Sequence, residues 1–378
     1  MKAKSLLVMI AVLAGVAVVA FLVVQQKSPE QSTATQGRRL FADLPLNKIE
    51  AINLTAAEGS VSLARKNDLW VVASHYDYPA DFNKIVNFLR TLKEAKVGRQ
   101  FKASPETLER LSLQPPDSKD ADKESKGLLV ELLDGQGRQL AAILFGKPRK
   151  NAGTGRPGGG HYLRLPEESR VYLVDSTFSF LPREAPGWLQ KRPVQVAAEE
   201  VQEVSCLSSD RKKTYYVLAR TKRGEDFSLS KMTRGKMLKK ITVDRLVRAL
   251  SSLRIEDVQD PAQASSSLDK QFPYLLEYRL FNGITYRVYP SKTCPEKVGC
   301  LLRLQVGFSP PATNKEKKSV EESVKQTAKA ADKTVAELAQ EAKELNERFS
   351  KWLFVTPDWQ HNSFVTDRNQ LLEEAKTT

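Results

Sequence analysis

Two stretches of the chain carry the same ordered series of hydrophobic and polar patterns. Residues 49–174 and residues 201–310 each begin with an alternating apolar run and continue with a short strand-like segment that holds an aromatic residue. Apolar positions at helical spacing follow, and then further strand-like runs. The shared order predicts a duplicated unit built from antiparallel strands and one amphipathic helix.

Each predicted helix has four apolar residues on one face. They are Ile85, Phe88, Leu89 and Leu92 in the first stretch, and Leu246, Ala249, Leu250 and Leu253 in the second. Asp81 and Asp244 precede these faces. A carboxylate at that position accepts hydrogen bonds from the free amide groups of the first turn, so both residues are predicted to be helix caps.

Paired turn residues separate the strand-like runs that follow the helices. Asp134-Gly135 lies in the first stretch and Asn282-Gly283 in the second. These pairs tolerate the positive φ angles of a tight turn, so each predicts a two-residue hairpin between antiparallel strands.

An apolar segment precedes both stretches. Lys2 and Lys4 come before an uninterrupted apolar run from Leu6 to Val24. A helix of that length, at about 1.5 Å per residue, spans roughly the ~30 Å hydrocarbon core of a bilayer. The basic residues favour export of the following chain. We predict an uncleaved anchor within residues 1–24, in preference to a cleaved signal peptide, and a flexible linker over residues 25–40.

The predicted fold class is α+β. An N-terminal transmembrane helix is followed by two tandem similar α+β units, each with antiparallel strands and one amphipathic helix. The first unit is predicted over residues 41–190 and the second over residues 191–378, with a long helical insertion at 312–350. The length of the chain is sufficient for two domains with their own hydrophobic cores.

The insertion is predicted as one helix of about 35 residues, about 50 Å long, because no Gly or Pro interrupts Lys315 to Trp352. Its apolar residues alternate at spacings of three and four, as in a coiled coil. This candidate partner seam consists of Val324, Ala328, Ala331, Val335, Leu338, Ala342, Leu345 and Phe349. Three interpretations stay open: the helix lies across its own domain, forms an intermolecular coiled coil, or is largely solvated.

Positive charge is concentrated in the second stretch. The net charge is +14, and thirteen Lys and Arg residues face three acidic ones between Arg211 and Arg248. Such a patch attracts anionic lipid or glycan; the alternative is the solvated face of a basic protein. An exported domain does not favour nucleic acid as a partner. The candidate residues are Arg211, Lys212, Lys213, Lys236, Lys239 and Lys240.

Residues with reactive side chains are few. Cys294 and Cys300 flank a short loop that closes as a disulfide in an oxidising compartment, or leaves two free thiols. The histidines His75, His161 and His361 lie far apart and are predicted at the surface or in turns. The chain contains no metal-ligand spacing, phosphate loop or nucleophile elbow. We therefore predict no catalytic, metal or cofactor-binding residue, and no cofactor.

Four segments carry a recognisable series of residues: Leu69–Val72, Tyr78–Asp81, Ile85–Leu92 and Val171–Val174. They resemble the bacterial family called domain of unknown function 4340. The resemblance implies an envelope protein with one N-terminal anchor, of a kind that accompanies ABC-type export systems related to the gliding-motility auxiliary transporter. The family has no agreed catalytic residues, so none is carried over. The insertion at 312–350 departs from the family pattern.

These observations predict a non-enzymatic, membrane-anchored accessory or scaffold protein in an ABC-type transport or envelope complex. Its expected location is the bacterial inner (cytoplasmic) membrane, single-pass, with most of the chain extracytoplasmic. The expected partner is a protein of that complex, or a second copy, bound through the 312–350 helix. The alternative is a binding module for anionic lipid or envelope glycan. A hydrolase of envelope polymers is the third hypothesis.

Overall fold

Antiparallel β-sheet is the main structure of this chain. A computed structural model describes five ranges: residues 36–150, 157–260, 271–296, 299–310 and 333–375. The chain divides into two compact units, Met1–Leu189 and Gln190–Thr378. Each unit has its own sheet and its own buried core.

The first unit is built on a nine-stranded sheet. Its strands are β1 (Ala51–Ala56), β2 (Gly59–Lys66), β3 (Leu69–Val72), β4 (Tyr78–Pro79), β5 (Val97–Lys102), β6 (Leu128–Leu133), β7 (Gln139–Lys150), β8 (Pro157–Arg164) and β9 (Arg170–Val174). Their order across the sheet is β4-β3-β2-β1-β6-β7-β8-β9-β5, so β5 is an edge strand beside β9. The helices are α1 (Phe82–Glu94) and α2 (Pro105–Arg110).

Helix α1 confirms the pattern predicted for it. The Asp81 carboxylate accepts a hydrogen bond from the Lys84 amide at 3.2 Å, which satisfies one free donor of the first turn. The predicted apolar face is buried. Phe88 on that face contacts Phe145 and Phe178, whose ring centroids lie 4.9 Å apart. This aromatic cluster is part of the main core of the first unit.

The second unit is built on an eight-stranded sheet and a separate strand pair. Its strands are β10 (Val201–Ser208), β11 (Thr214–Ala219), β12 (Ser228–Leu229), β13 (Lys236–Leu238), β14 (Asp257–Gln259), β15 (Tyr274–Leu280), β16 (Ile284–Pro290), β17 (Cys300–Phe308), β18 (Leu353–Thr356) and β19 (Leu372–Glu374). The large sheet has the order β12-β11-β10-β15-β16-β17-β18-β14, and β13 pairs with β19. The helices are α3 (Lys240–Ala249), α4 (Val335–Phe349) and α5 (Asp358–Phe364).

The two large sheets have the same strand order. If β4 is left aside, β3-β2-β1-β6-β7-β8-β9-β5 in the first corresponds to β12-β11-β10-β15-β16-β17-β18-β14 in the second. This correspondence is one of topology, and the common origin of the two units stays a prediction. It allows positions in one sheet to be compared with positions in the other.

The predicted α+β class is wrong. The described residues form three antiparallel sheets from nineteen strands and only five α-helices, two in the first unit and three in the second. Strand β5 is a polar edge strand without apolar alternation, and for that reason the sequence pattern missed it. Strand β7, which the predicted hairpin implied, has four consecutive buried residues within its twelve.

The described residues contain neither a helix that fits the predicted transmembrane span nor a continuous 35-residue insertion helix. In the described part of the chain, no helix has both the length and the apolar character that crossing a membrane requires. The predicted anchor at residues 6–24 lies outside the described residues. Helix α4 begins at Thr334, whose side chain accepts from the Glu337 amide while the Glu337 carboxylate accepts from the Thr334 amide. This capping box starts a helix at a position where the heptad pattern predicted the middle of one. The earlier part of the pattern, residues 311–332, lies outside the described residues.

Both hairpin turns are longer than predicted. Asp134-Gly135 lies in a five-residue loop in which the Asp134 carboxylate accepts two hydrogen bonds from Arg138, and the positive φ falls on Gly137. Three residues join β15 to β16, and Gly283 has a φ of 89°. Side-chain hydrogen bonds to the loop backbone account for the extra length at Asp134.

The predicted cap of the second helix is also wrong. Helix α3 begins at Lys240, so Asp244 lies inside the helix. The Tyr278 hydroxyl donates to the Leu246 carbonyl at 3.0 Å, and its ring lies 6.2 Å from that of Phe364. Packing against β15 and α5 therefore positions this helix.

Candidate anion-binding cleft

A solvent-open cleft of about 920 Å³ lies in the first unit, beside edge strand β5. Tyr162 of β8 and Leu173 of β9 line it, and they pair directly across the two strands. Successive residues of a strand point to opposite faces, so both lie on the face opposite to buried His161. The cleft is thus separate from the aromatic core.

A β-bulge in β5 turns Arg99 toward this cleft. The pairing of β5 with β9 shifts between Val97 and Arg99, so that Arg99 pairs with Leu173 and Gln100 with Tyr172. In regular pairing Gly98 would lie opposite Leu173, and Arg99 would lie opposite buried Tyr172. The bulge therefore places the guanidinium on the cleft side and the smaller Gln100 on the buried side.

Helix α2 forms one wall of the cleft. The Ser104 hydroxyl caps it by accepting from the Thr107 amide at 3.4 Å, and Pro105 occupies the first turn. Leu108 packs with Phe101 against the small apolar cluster around Val171. This packing holds the end of the helix, and with it Arg110, at the cleft.

Four basic side chains surround the opening, and all four are exposed: Arg99, Lys102, Arg110 and Arg149. None of them has a carboxylate partner within the described ranges. The Arg99 guanidinium lies 5.7 Å from the centroid of the Phe101 ring, an arrangement that holds a cation over an aromatic face.

One carboxylate also lines the cleft, and the backbone already engages it. Asp175 accepts a hydrogen bond from the Lys96 amide at 2.9 Å and another from the Ser176 hydroxyl at 3.1 Å. The charge balance of the cleft is strongly positive. The sequence does not reveal this site, because its basic residues are dispersed over β5, α2 and β7 and form no charge run.

The structure divides the predicted basic patch between the β10–β11 hairpin and the segment that leads into α3. Most of its members have acidic partners: Arg211 with Glu277, Lys212 with Asp210, Lys236 with Glu374 and Lys240 with Asp226. The Lys213 ammonium lies 5.0 Å from the Tyr215 ring centroid, and Lys239 is the residue preceding α3. These pairs reduce the net positive charge that the patch presents.

The described part of the predicted partner seam lies within the second unit. Ala342 and Phe349 are buried, and the Asn346 carboxamide accepts from the Val306 amide of β17 at 3.0 Å. Leu338 and Leu345 are half-buried, and Val335 is 58% exposed. Val324, Ala328 and Ala331 lie outside the described residues. Helix α4 therefore packs on its own sheet.

The structure joins Cys294 and Cys300 in a disulfide. Cys206 is free and buried, and burial raises the pKa of its thiol to about 11, so it stays protonated. His161 and His361 were predicted at the surface or in turns. That prediction is wrong, since both are buried with a ring nitrogen bonded to a backbone carbonyl.

Comparison with known families places this architecture in context. The model of the family described as Domain of unknown function (DUF4340) matches residues 70–271, more than half of the chain. The chain belongs to this family. The match includes α1 and the elements of the cleft, and it continues into the second unit. Neither the curated proteins nor the solved structures contain a match.

Proposed function

We propose that this protein is a non-enzymatic accessory subunit that works by binding on the extracytoplasmic side of the bacterial inner membrane. We further propose that the cleft of the first unit holds an anionic ligand. The observation that carries this proposal is the ring of four basic side chains without carboxylate partners in the described structure. Positive charges gathered at one opening attract anions and concentrate them there.

The cleft suits an extended ligand with apolar parts. It is open to solvent, and Tyr162, Leu173 and Phe101 supply half-buried apolar surface between the basic groups. A phosphate or carboxylate can pair with an arginine fork while the rest of the ligand covers the rings. An envelope glycan with acidic groups and an acidic lipid headgroup share this chemistry.

The corresponding position of the second unit has the opposite charge. Asp257 of β14 pairs with Val355 of β18, as Arg99 of β5 pairs with Leu173 of β9. Val355 belongs to an apolar cluster with Leu301. This difference supports anion binding by the first unit in particular, and not by the framework that the two units share.

The disulfide supports the proposed extracytoplasmic location. Structural disulfides persist in oxidising compartments and are rare in the cytosol, so the Cys294–Cys300 bond favours an extracytoplasmic location. Association with an ABC-type export system rests on the family resemblance alone. Purification in mild detergent is expected to recover a membrane protein partner, and repeated recovery of the chain alone would contradict the accessory role.

Charge reversal in the cleft tests the ligand site. The triple variant Arg99→Glu, Arg110→Glu and Arg149→Glu should lose binding to acidic vesicles or to a soluble anionic polysaccharide. Sedimentation with vesicles containing an anionic phospholipid and titration with the polysaccharide distinguish the two ligand sources. Wild-type binding should weaken steeply between low and physiological salt, because the charges are exposed.

A matched reversal in the second unit is the control. Lys212→Glu, Lys213→Glu and Lys239→Glu change the net charge of the chain by the same amount but leave the cleft intact. Equal losses in both triple variants would indicate nonspecific attraction to a basic protein. Loss in the control alone would move the site to the patch predicted from sequence, and unchanged binding by the cleft variant would refute the proposal.

A further inference from the structure

Three potential ligand groups meet at the start of β17 in the second unit, and a fourth lies against one of them. Strands β17 and β18 pair so that Cys300 lies opposite Thr356, and α5 begins directly after β18. This pairing brings Asp358 and His361 of α5 beside the disulfide. The two sulfur atoms and one ring nitrogen of His361 lie within 4.8 Å of one another. An Asp358 carboxylate oxygen lies 3.0 Å from the Cys300 sulfur.

His361 is oriented as a metal ligand would be. Its side chain is 5% exposed, and Nε2 lies 2.8 Å from the Ser291 carbonyl, so Nε2 carries the proton and donates it. Nδ1 then has a free lone pair, and it has no hydrogen-bond partner in the described structure. Metal-binding histidines commonly have this arrangement, in which one nitrogen donates to a backbone carbonyl and the other binds the ion.

An unpaired buried nitrogen needs an explanation. Leaving a buried acceptor without a partner costs about 1–3 kcal/mol. The disulfide has no proton to offer it. Two thiolates, an imidazole and a carboxylate form a donor set that suits a tetrahedral thiophilic cation such as Zn²⁺.

We propose a redox-gated site for a thiophilic divalent cation of the Zn²⁺ class, built from four residues: Cys294, Cys300, His361 and Asp358. In the observed state the disulfide closes the site. A reducing dithiol supplies two electrons and two protons, which break the S–S bond and give two thiols, while the reductant becomes a disulfide. The cation then forms two metal–sulfur bonds and releases the two thiol protons.

Metal binding by the full chain in its two redox states tests the proposal. The protein is reduced with a phosphine, freed of reductant, incubated with Zn²⁺ and desalted, and its metal content is measured. One equivalent is expected in the reduced protein and none in the oxidised protein. Co²⁺ in place of Zn²⁺ should give the intense visible bands of tetrahedral thiolate coordination.

Variants distinguish this site from simple binding to thiols. His361→Gln and Asp358→Asn should weaken binding of Zn²⁺ by at least the tenfold that loss of a supporting hydrogen bond typically costs. Cys206→Ala, which removes the buried free thiol, should bind as the wild type does. Asp358 is exposed, so its variant keeps the test informative if His361→Gln fails to fold.

Three outcomes would overturn the proposal. The first is a reduced wild type that holds no more Zn²⁺ than the oxidised form after desalting. The second is an oxidised form that holds a full equivalent, which would rule out gating. Unchanged affinity in both His361→Gln and Asp358→Asn would show that the thiols alone capture the ion.

Discussion

Acid should destabilise the first unit through one buried histidine. His161 is 3% exposed, and its Nε2 donates to the Gly146 carbonyl at 2.9 Å while its Nδ1 accepts from the Phe178 amide at 3.3 Å. Burial, together with a smaller effect of the positive charge of Arg183, lowers the pKa of His161 from 6.5 to about 4. Protonation would also place an N–H group at Nδ1 opposite the Phe178 amide, so that two donors would face each other without an acceptor.

The sign of the effect follows from the proton balance. The unfolded chain takes up this proton below pH 6.5, whereas the folded unit takes it up only near pH 4. Stability contributed by the neutral ring is therefore complete above pH 6.5 and is lost as the pH falls toward 4. At about 1.4 kcal/mol per pH unit, the loss is about 2 kcal/mol at pH 5 and about 3 kcal/mol below pH 4.

Urea-dependent hydrogen exchange of the α1 amides, measured on the full chain, reports the unfolding free energy of this unit. The experiment compares pH 7.5 with pH 5.0 in the wild type and in His161→Gln, which cannot titrate. Carboxylates contribute equally to both proteins, so the difference between the two pH dependences isolates the histidine. Phe145→Leu is the matched control, because it loosens the same aromatic cluster and keeps the titrating ring.

The expected result is a stability loss between the two pH values that is about 2 kcal/mol larger in the wild type than in His161→Gln. Phe145→Leu should be less stable than the wild type at both pH values and keep the wild-type pH dependence. Identical pH dependences in wild type and His161→Gln would refute the reasoning. So would a ring pKa measured by NMR near the ordinary value.

Three further substitutions have predictable effects on stability. Thr334→Ala removes the capping box of α4 and should cost about 1 kcal/mol, seen as faster amide exchange in its first turns only. Gly160→Ala should cost more than about 1 kcal/mol, because φ is +106° and the added Cβ would lie 2.6 Å from the Val174 carbonyl oxygen; Gly159→Ala, with open space around it, should cost less. Gln360→Ala should cost about 2 kcal/mol in urea unfolding, because the buried carboxamide bonds both the Ala249 carbonyl and the Arg254 amide, at about 1 kcal/mol each; a cost below about 0.5 kcal/mol would contradict this.

Local patterns predicted well where short-range interactions decide the structure. Helix α1 has its apolar face and its cap within twelve consecutive residues, Asp81 to Leu92, and both were predictable. The prediction of Asp244 as a cap failed because the residues before it are also helical, and contacts with α5 and β15 stabilise that helix. The heptad pattern failed at Thr334, where a local capping box starts the helix that the apolar spacing had extended further.

The two sites depend on long-range pairing, which sequence patterns do not contain. Arg99 reaches the cleft only because one residue is inserted in the pairing of β5 with β9. Regular alternation of side chains along β5 would have directed Arg99 to the opposite face of the sheet. His361 meets the disulfide because β17 pairs with β18 across more than fifty residues of chain. A predicted disulfide between Cys294 and Cys300 contained no indication of a third ligand.

The shared strand order allows the unpaired nitrogen of His361 to be compared with the bonding of His161 in the first unit. His161 of β8 pairs with Val174 at the end of β9, and Cys300 pairs with Thr356 at the corresponding place in β17 and β18. In the first unit the Gly146 carbonyl of β7 and the Phe178 amide of the segment after β9 satisfy both ring nitrogens of His161. In the second unit α5 covers this position, but Nδ1 of His361 is left unpaired, and the His361 ring lies beside the disulfide. Since the same framework can bury a fully bonded histidine there, topology does not account for the unpaired nitrogen, and a ligand for it does.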